Sequence, residues 1–262
     1  MKVIRRIFRN IDSNEKKMLI EHAFGCKMDR GYFNHDLDEK SEEYNRTKKL
    51  VHLLDLQDAI IGSEFTKEEI EQAEVLVFRG AWTSGYPQPL DPISVFDNTY
   101  IDSCPECGVH GEQKAAFQIK GPKLGKHKLM QLNWVFDELF SESKFYQDFF
   151  QDMGLPKQEV LLYKKNLPIE TIVQLLIPVA TSHLDMGNRE SSTCLVCNRL
   201  KYSPVDSGFF PAPSSRDFQI VKTLEFFGDG HSAFRRILVS NAFMKRLLKH
   251  KAAKHHQFVP CK

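Results

Sequence analysis

Two short cysteine motifs constrain the fold of this chain more than any other feature. They are CPEC at 104–107 and CLVC at 194–197, and both have two residues between the thiols. This spacing lets both sulfurs of a pair reach one metal ion, and two such pairs supply the four thiolates of a tetrahedral zinc site. The sequence therefore predicts one four-cysteine zinc site formed by Cys104, Cys107, Cys194 and Cys197.

The residues around the motifs indicate what kind of site this is. Gly108 follows the first pair and permits a tight turn, whereas Asn198 stands in the equivalent place of the second and is the next most tolerant residue for a left-handed conformation. Four thiolates leave zinc no open position, so the site is predicted to be structural. Because 86 residues (108–193) separate the pairs, the metal would join two remote segments of one domain.

Other interpretations of the cysteines remain open from the sequence. A redox-active CxxC normally begins a helix of a thioredoxin-like unit, and buried free thiols are a further alternative. His110 is close enough to Cys107 to serve as a substitute ligand. Cys26 and Cys261 have no neighbouring thiol, so the pattern is not that of a disulfide framework and indicates a reducing, cytoplasmic compartment.

Composition excludes several classes of protein. The chain is 42% hydrophobic and 27% charged, as in ordinary globular proteins. Its 36 basic and 34 acidic residues leave a net charge of +2, too small to indicate nucleic acid or a membrane surface as partner. No apolar run reaches the about 18 residues of a membrane span, and no signal peptide is recognised. We expect a cytoplasmic protein, mature from Met1, without membrane association.

Hydrophobic periodicity predicts an α+β fold with a helical N-terminal segment, 1–64, packed on a main domain, 65–262. After a short strand at Val3–Phe8, the stretches EKKMLIEHAF (15–24) and YNRTKKLVHLLDLQDAII (44–61) have apolar residues at helical spacing. The charged stretch HDLDEKSEE (35–43) between them is interpreted as a loop. Thr66 and Glu69 form a capping-box pattern that begins a short helix, followed by a buried strand at Val75–Phe78.

The main domain contains a weak internal repeat. A shift of 98 residues aligns Phe145, Phe149 and Val160 with Phe243, Leu247 and Phe258, and in both copies a strand leads through a serine into a helix and another strand. The two cysteine pairs are offset by 90 residues, which is close to the 98-residue shift of the repeat. The sequence thus predicts two strand–helix–strand repeats clamped by the metal, although so few identities are equally consistent with chance.

No familiar catalytic motif is present in the sequence. HExxH, GxSxG and P-loop patterns are all missing, so the protein is predicted not to be an enzyme, with no catalytic or cofactor-binding residues nominated. Asp137 and Glu138 are interpreted as surface carboxylates that point to opposite faces of a strand. The aromatic residues Trp82, Tyr86 and Trp134 are assigned to the core, with a recognition groove as the alternative.

Five motifs together are similar to a family of bacterial proteins with a double CxxCG motif: GYPQP (85–89), NTYIDSCPECG (98–108), QLNWVFDELF (131–140), CLVCNRLKYSP (194–204) and ILVSNAF (237–243). Related members are assigned as immunity proteins that neutralise a cognate toxin of interbacterial competition. The resemblance implies a cytoplasmic, non-enzymatic protein that binds a protein partner, with the four cysteines at the family's metal-ligand positions. Asn198 departs from the family's second glycine.

The runner-up hypothesis is a zinc-ribbon protein that binds nucleic acid or acts as a regulator. It rests on the paired CxxC motifs and on a locally basic helix near the C-terminus. The basic residues are Lys245, Arg246, Lys249, Lys251 and Lys254. Phe243, Leu247 and Leu248 occupy the other face of that helix, so a solvated polar face explains the charges more simply. An enzyme of unfamiliar type is the third hypothesis, and it would need a pocket with converging polar groups.

Overall fold

The computed structural model describes residues 1–28, 31–80, 82–122 and 124–262. It confirms the α+β class, with helices and several small sheets in the same chain. The contacts divide it into two compact units, one comprising Met1–Glu69 with Val205–Gly208 and the other Ile70–Pro204 with Phe209–Lys262. Among the described residues, no helix is both long enough and apolar enough to cross a bilayer.

The first unit is a three-stranded antiparallel sheet in the order β2-β1-β3, with two helices in the connections. Ser13 and Ser41 each accept a backbone N–H in the first turn of a helix, as good N-caps do. The apolar faces of the helices and of the sheet meet in a common core. The elements are β1 (Lys2–Asn10), α1 (Asn14–Phe24), β2 (Tyr32–Asp38), α2 (Glu42–Leu53) and β3 (Gln57–Glu64).

The prediction that 1–64 is a mainly helical segment is only half right. Both helices form, but 35–38 belongs to a strand and the second helix ends at Leu53. Asp55, at φ 52°, lies in the left-handed region and turns the chain into β3. The residues of β3 then pair with β1. This pairing with a distant strand outweighs the local helical spacing of apolar residues, which contains no information about it.

The boundary between the units lies within a short helix, α3 (Lys67–Gln72). The Thr66 N–H donates to the Glu69 carboxylate (2.8 Å) and the Glu69 N–H donates to the Thr66 hydroxyl (3.1 Å). These two hydrogen bonds confirm the predicted capping box. The predicted strand after it is also confirmed, because every residue of Val75–Phe78 is strand and buried.

The second unit has two main sheets and a small hairpin. Helix α5 continues directly as a π-helical turn, 146–150, and a 3-10 turn, 151–153, and another 3-10 turn, 255–257, leads into the last strand. The elements are β4 (Val75–Phe78), α4 (Pro92–Thr99), β5 (Gln118–Ile119), β6 (Leu129–Leu132), β7 (Val135–Glu142), α5 (Ser143–Phe145), β8 (Lys157–Leu162), β9 (Leu167–Leu175), β10 (Ser191–Thr193), β11 (Leu200–Tyr202), β12 (Ile220–Lys222), β13 (Ile237–Ser240), α6 (Asn241–Lys249) and β14 (Phe258–Pro260).

The two sheets show that the faint sequence repeat is a structural repeat. The strand orders are β12-β13-β4-β14 and β6-β7-β9-β8, the latter extended by β5 at its edge. In chain order, the first half runs β4, CPEC, β6, β7, α5, β8, and the second runs β9, CLVC, β12, β13, α6, β14. Apart from α4 and β5 in the first half and β10 and β11 in the second, the two halves therefore have the same order of elements, and the predicted strand–helix–strand units are present in both.

The halves exchange their first strands. Strand β4 of the first half lies between β13 and β14, and β9 of the second half lies between β7 and β8, antiparallel to its neighbours in each case. Equivalent backbone bonds recur, from Glu142 N–H to the Lys128 carbonyl and from Ser240 N–H to the Gln219 carbonyl, both 3.0 Å. Because each sheet needs a strand from the other half, neither half can form its sheet alone.

The two repeat helices pack against each other through aromatic side chains. The ring centroid of Phe243 in α6 lies 5.8 Å from that of Phe149 and 6.3 Å from that of Phe150 in the turn after α5. All six residues aligned by the 98-residue shift are buried, at 4% exposure or less. The residues that carry the sequence repeat are thus the apolar contacts of the two equivalent helices and strands.

Candidate metal centre

The first cysteine pair forms a tight knuckle between α4 and β5. The Cys104 N–H donates to the Val109 carbonyl (3.0 Å), and the Gly108 N–H donates to the Cys104 carbonyl (2.8 Å). Gly108 has φ 77°, and a Cβ there would lie 2.5 Å from the His231 carbonyl oxygen. Both the backbone conformation and the close approach of the 231–233 loop therefore require glycine at this position.

The second pair repeats this geometry between β10 and β11. The Cys194 N–H donates to the Arg199 carbonyl (3.0 Å), and the Asn198 N–H donates to the Cys194 carbonyl (2.9 Å). Asn198 adopts φ 56°, the left-handed conformation that Gly108 has in the first knuckle. Asparagine tolerates this conformation better than most residues, so the second knuckle keeps the turn of the first although it lacks the glycine.

The four sulfurs converge on one point. Their Sγ atoms all lie within 4.8 Å of one another. The distances between equivalent cysteines are 3.9 Å from Cys104 to Cys194 and 3.6 Å from Cys107 to Cys197. A tetrahedron with Zn–S bonds of about 2.3 Å has S–S edges of about 3.8 Å. The side chains are thus already arranged for a tetrahedral thiolate-bound ion, at the junction of the two halves of the repeat.

The four thiols differ in their surroundings. Cys104 and Cys107 are buried, whereas Cys194 and Cys197 are half-buried. Burial raises the pKa of Cys107 to about 12 despite a hydrogen bond from the Val109 N–H. Burial would also raise the pKa of Cys197, but the side chain and the backbone N–H of Arg199 outweigh it and lower that pKa to about 6. Cys197 therefore ionises more readily than Cys107.

Two cationic side chains that the cysteine motifs do not predict lie around the cluster. Arg199 donates to the Asp102 carbonyl, and buried Lys201 donates to the carbonyls of Cys107 (3.2 Å) and Gly230. Four thiolates around a divalent ion carry a net charge of −2, and these cations offset it. Their signal in the sequence is CNRLK, in which cationic residues immediately follow the second cysteine pair.

The geometry argues against two of the alternatives for the cysteines, a redox motif and a ligand role for His110. Each pair begins a left-handed turn and not a helix, unlike a thioredoxin-type redox motif, and all four thiols share one site. His110 is not part of the cluster, since its Nε2 lies 3.4 Å from Asp137 Oδ2 and both side chains are buried. The four cysteines therefore form a candidate site for a metal ion with closed coordination.

The expectation that Asp137 and Glu138 are surface carboxylates is wrong, because they are 0% and 2% exposed. They do point to different partners, as alternation along a strand requires. Asp137 faces His110, while Glu138 Oε1 accepts from the Lys222 ammonium at 2.5 Å and from the Tyr100 hydroxyl at 3.1 Å. Paired cations and hydrogen bonds offset the free-energy cost of burying a carboxylate. Sequence periodicity does not indicate which distant residues will provide these partners.

The three aromatic residues assigned to the core lie at the surface of the second unit. Trp82 is 41% and Tyr86 43% exposed. The Trp82 ring stacks on His127 with centroids 4.6 Å apart, and Tyr86 meets the Trp134 ring edge-on at 4.7 Å. The core interpretation is therefore wrong for Trp82 and Tyr86, while Trp134 is half-buried and lines a surface groove.

Comparisons with protein-family models, with curated proteins and with solved structures gave no match to this chain. The resemblance to double-CxxCG proteins therefore stays a prediction. What can be stated of the site comes from its geometry, namely four cysteines from two equivalent knuckles placed to bind one metal ion.

The pKa difference predicts which thiol reacts first in metal-free protein. We expect brief iodoacetamide pulses to label Cys197 before Cys107, because the thiolate is the nucleophile. Labelling of Cys197 should rise as the pH passes about 6, whereas labelling of Cys107 should still be suppressed at pH 9. Peptide mass spectrometry would measure both rates across pH. Arg199→Met should shift the Cys197 profile to higher pH, and equal labelling of the two thiols would contradict the assignment.

Proposed function

We propose that this protein is a zinc-stabilised, non-enzymatic binding protein of the immunity type, which neutralises a cognate bacterial toxin in the cytoplasm. The observation that carries the proposal is the convergence of Cys104, Cys107, Cys194 and Cys197 within 4.8 Å. Tetrahedral sites with four thiolates are typical of structural Zn²⁺. Such an ion stabilises the fold, and the surrounding protein surface then binds the partner.

The closed coordination supports a structural and not a catalytic role for the metal. With four cysteine ligands, no position is open for water or substrate. Across the ranges that the structure describes, no other group of three or more His, Cys, Asp or Glu side chains lies close enough to hold an ion. The buried carboxylate of Glu138 is paired with Lys222. Asp137 lies beside His110 and accepts the Arg235 N–H at 3.4 Å through Oδ2, while its Oδ1 has no hydrogen-bond partner among the described residues.

The surface near the metal centre supports a protein partner. In the second knuckle, Leu195 is 97% and Val196 70% exposed. Apolar side chains held on a rigid, metal-bound turn lose little conformational entropy on binding and are suited to an interface. An inhibitor that must outcompete a toxin's own target gains from such pre-organisation.

The nucleic-acid alternative rests on the basic face of α6. Phe243, Met244 and Leu247 are buried while the cations face outward, as the sequence predicts for an amphipathic helix on a globular domain. Arg246 also lies over the Phe149 ring at 4.7 Å and donates to Gln219, so part of this charge is used within the molecule. A salt-dependent affinity for DNA or RNA would favour this alternative.

The proposal predicts protection from a toxin encoded beside this gene. Cells that express the toxin together with the wild-type protein should survive at least about tenfold better than cells with the toxin alone, because a neutralising complex removes free toxin. Cys194→Ser should abolish protection by disrupting the metal clamp, whereas Cys26→Ser, which alters a cysteine outside the cluster, should preserve it. Colony counts and co-purification with an inactivated toxin would measure the two effects.

The proposal fails if the toxin kills equally with and without this protein. It also fails if nucleic acid binds with a steep salt dependence and the toxin does not co-purify, since the alternative function would then account for the basic helix. A flat titration with DNA and RNA at low salt, together with co-purification of the toxin, supports the immunity role.

A further inference from the structure

A surface groove of about 700 Å³ runs beside the first knuckle, within the second unit. Ile93 and Phe136 in its walls are 56% and 42% exposed. Exposed apolar side chains that share one concave surface, and are not scattered singly, mark interaction sites. The apolar lining residues outside the knuckle are Pro92, Ile93, Phe96, Trp134, Phe136 and Phe234.

The groove is built from both halves of the repeat and is held in shape. One wall comes from α4 and the first knuckle, and the opposite wall from the 231–234 loop of the second half. His231 Nδ1 lies 3.2 Å from the Pro105 carbonyl oxygen, and Lys201 donates to the Gly230 carbonyl. Phe136 and Phe234 pack edge to face, with centroids 5.2 Å apart. These contacts form the walls before any ligand arrives.

Trp134 is held in an unfavourable backbone conformation within this groove. It has φ 68° at the turn between β6 and β7, a left-handed conformation that is unfavourable for a non-glycine residue. Its ring packs edge-on against Tyr86, which fixes its position at the groove. A large aromatic residue in a conformation suited to glycine or asparagine is a sign that the side chain, and not the turn, is needed at this position.

The charge at the groove has one sign. Asp91, Asp97 and Glu106 line it and are exposed, and among its described lining residues there is no lysine or arginine. Asp91 accepts the Ser94 N–H at 2.8 Å and Asp97 accepts the Ser103 hydroxyl, so two of the carboxylates are fixed in place. An apolar surface bordered by three carboxylates complements an apolar segment flanked by cations.

We propose that this groove docks the protein partner through a segment whose apolar side chains are flanked by lysine or arginine. The inference rests on the proposed function and identifies the chemistry of the toxin surface that is bound. The apolar side chains enter between Ile93 and Phe136, and the flanking cations meet the carboxylates of Asp97 and Glu106. The desolvated apolar contacts supply most of the affinity, while the charges at the edge direct association.

Peptide titration tests the groove without the toxin. A Trp82→Phe protein retains Trp134 as its only tryptophan, so its emission reports on the groove. The probes are KRKLFLKRK, the charge-reversed EDELFLEDE and the apolar-depleted KRKSGSKRK. We expect saturable binding of the first with a dissociation constant below about 1 mM, and at least about tenfold weaker binding of the other two. Equal binding of the first two, or no change in emission at millimolar peptide, would overturn the proposal.

Matched variants keep the test specific to the groove. Asp91→Asn, Asp97→Asn and Glu106→Gln together should weaken peptide binding at least about tenfold, and asparagine can still cap α4 at position 91. Asp152→Asn, Glu159→Gln and Glu170→Gln change the net charge equally at exposed positions elsewhere in the second unit and should leave binding unchanged. Equal weakening by both triple variants would show nonspecific charge attraction and contradict docking.

Two lysine variants, one in the groove and one outside it, test docking at the groove separately from the immunity role. Ile93→Lys places a cation in the groove and should abolish toxin protection, while Leu167→Lys, at an exposed position outside the groove, should preserve it. If the wild type and Ile93→Lys protect equally, the groove is not the docking site and the immunity role stands. If the peptides bind as expected but no protein protects, the groove is a docking site and the immunity role is wrong.

Discussion

Cys104→Ser is expected to remove the bound metal and lower the free energy of unfolding by about 4–5 kcal/mol. An ion bound by all four cysteines would link residues 107 and 194 and so close a loop of 86 intervening residues. Cross-linking a loop of this length removes about 4–5 kcal/mol of chain entropy from the unfolded state. Domains are typically stable by only about 5–15 kcal/mol, so the variant should be close to unfolding at room temperature.

Metal analysis and urea denaturation would measure this result. The wild type should contain about one zinc ion per chain, and Cys104→Ser should contain none. Cys26→Ser is the matched control, because Cys26 lies in the first unit and outside the thiol cluster. If Cys104→Ser cannot be purified, chelation of the wild-type protein replaces it, since removing a structural ion should cause the same loss. Unchanged stability after complete chelation would contradict the structural role.

The location of the cysteine cluster explains why loss of a bound metal should destabilise the whole second unit. Each knuckle belongs to one half of the repeat, and equivalent cysteines from the two halves face each other. The exchanged strands β4 and β9 already make each sheet depend on the opposite half. An ion held between the knuckles would therefore reinforce an arrangement in which the two halves fold together, and we expect loosening of one knuckle to weaken contacts in both sheets.

Local signals in the sequence were sufficient for much of the site. The CxxC spacing located all four thiols, Asn198 was correctly expected in the left-handed region, and Thr66 with Glu69 indicated a capping box that the structure contains. Each of these depends on residues a few positions apart. Contacts between residues so close in sequence can be predicted before the fold is known, because the local backbone determines which groups meet.

Features that depend on long-range pairing were not accessible in the same way. The residues of β3 follow α2 without a strong break, and only their pairing with β1 makes them a strand. The exchange of β4 and β9 has no local signature at all. Asp137 and Glu138 looked like surface residues because their partners, His110 and Lys222, are distant in sequence. Burial of a charge becomes plausible only when its partner is known.

Glu138→Gln is expected to destabilise the second unit by about 3–5 kcal/mol, because it removes the carboxylate that pairs directly with the buried Lys222 ammonium. The two side chains are 3% and 11% exposed and are 2.5 Å apart. They join β7 of one sheet to β12 of the other, and Gln174 on β9 also donates to Glu138 at 3.0 Å. Loss of the carboxylate therefore disturbs both sheets at once.

A double-mutant cycle distinguishes loss of the pair from loss of either group. Lys222→Met alone should cost a similar amount, because it leaves the Glu138 carboxylate unpaired. Glu138→Gln combined with Lys222→Met should cost much less than the sum of these two single changes. Urea unfolding followed by tryptophan emission reports on the second unit, which contains both tryptophans. Asp148→Asn is the control, since its exposed pair with Lys144 should contribute at most about 0.5 kcal/mol. Additive losses in the double variant would show that Glu138 and Lys222 contribute independently and that the pair does not join the sheets.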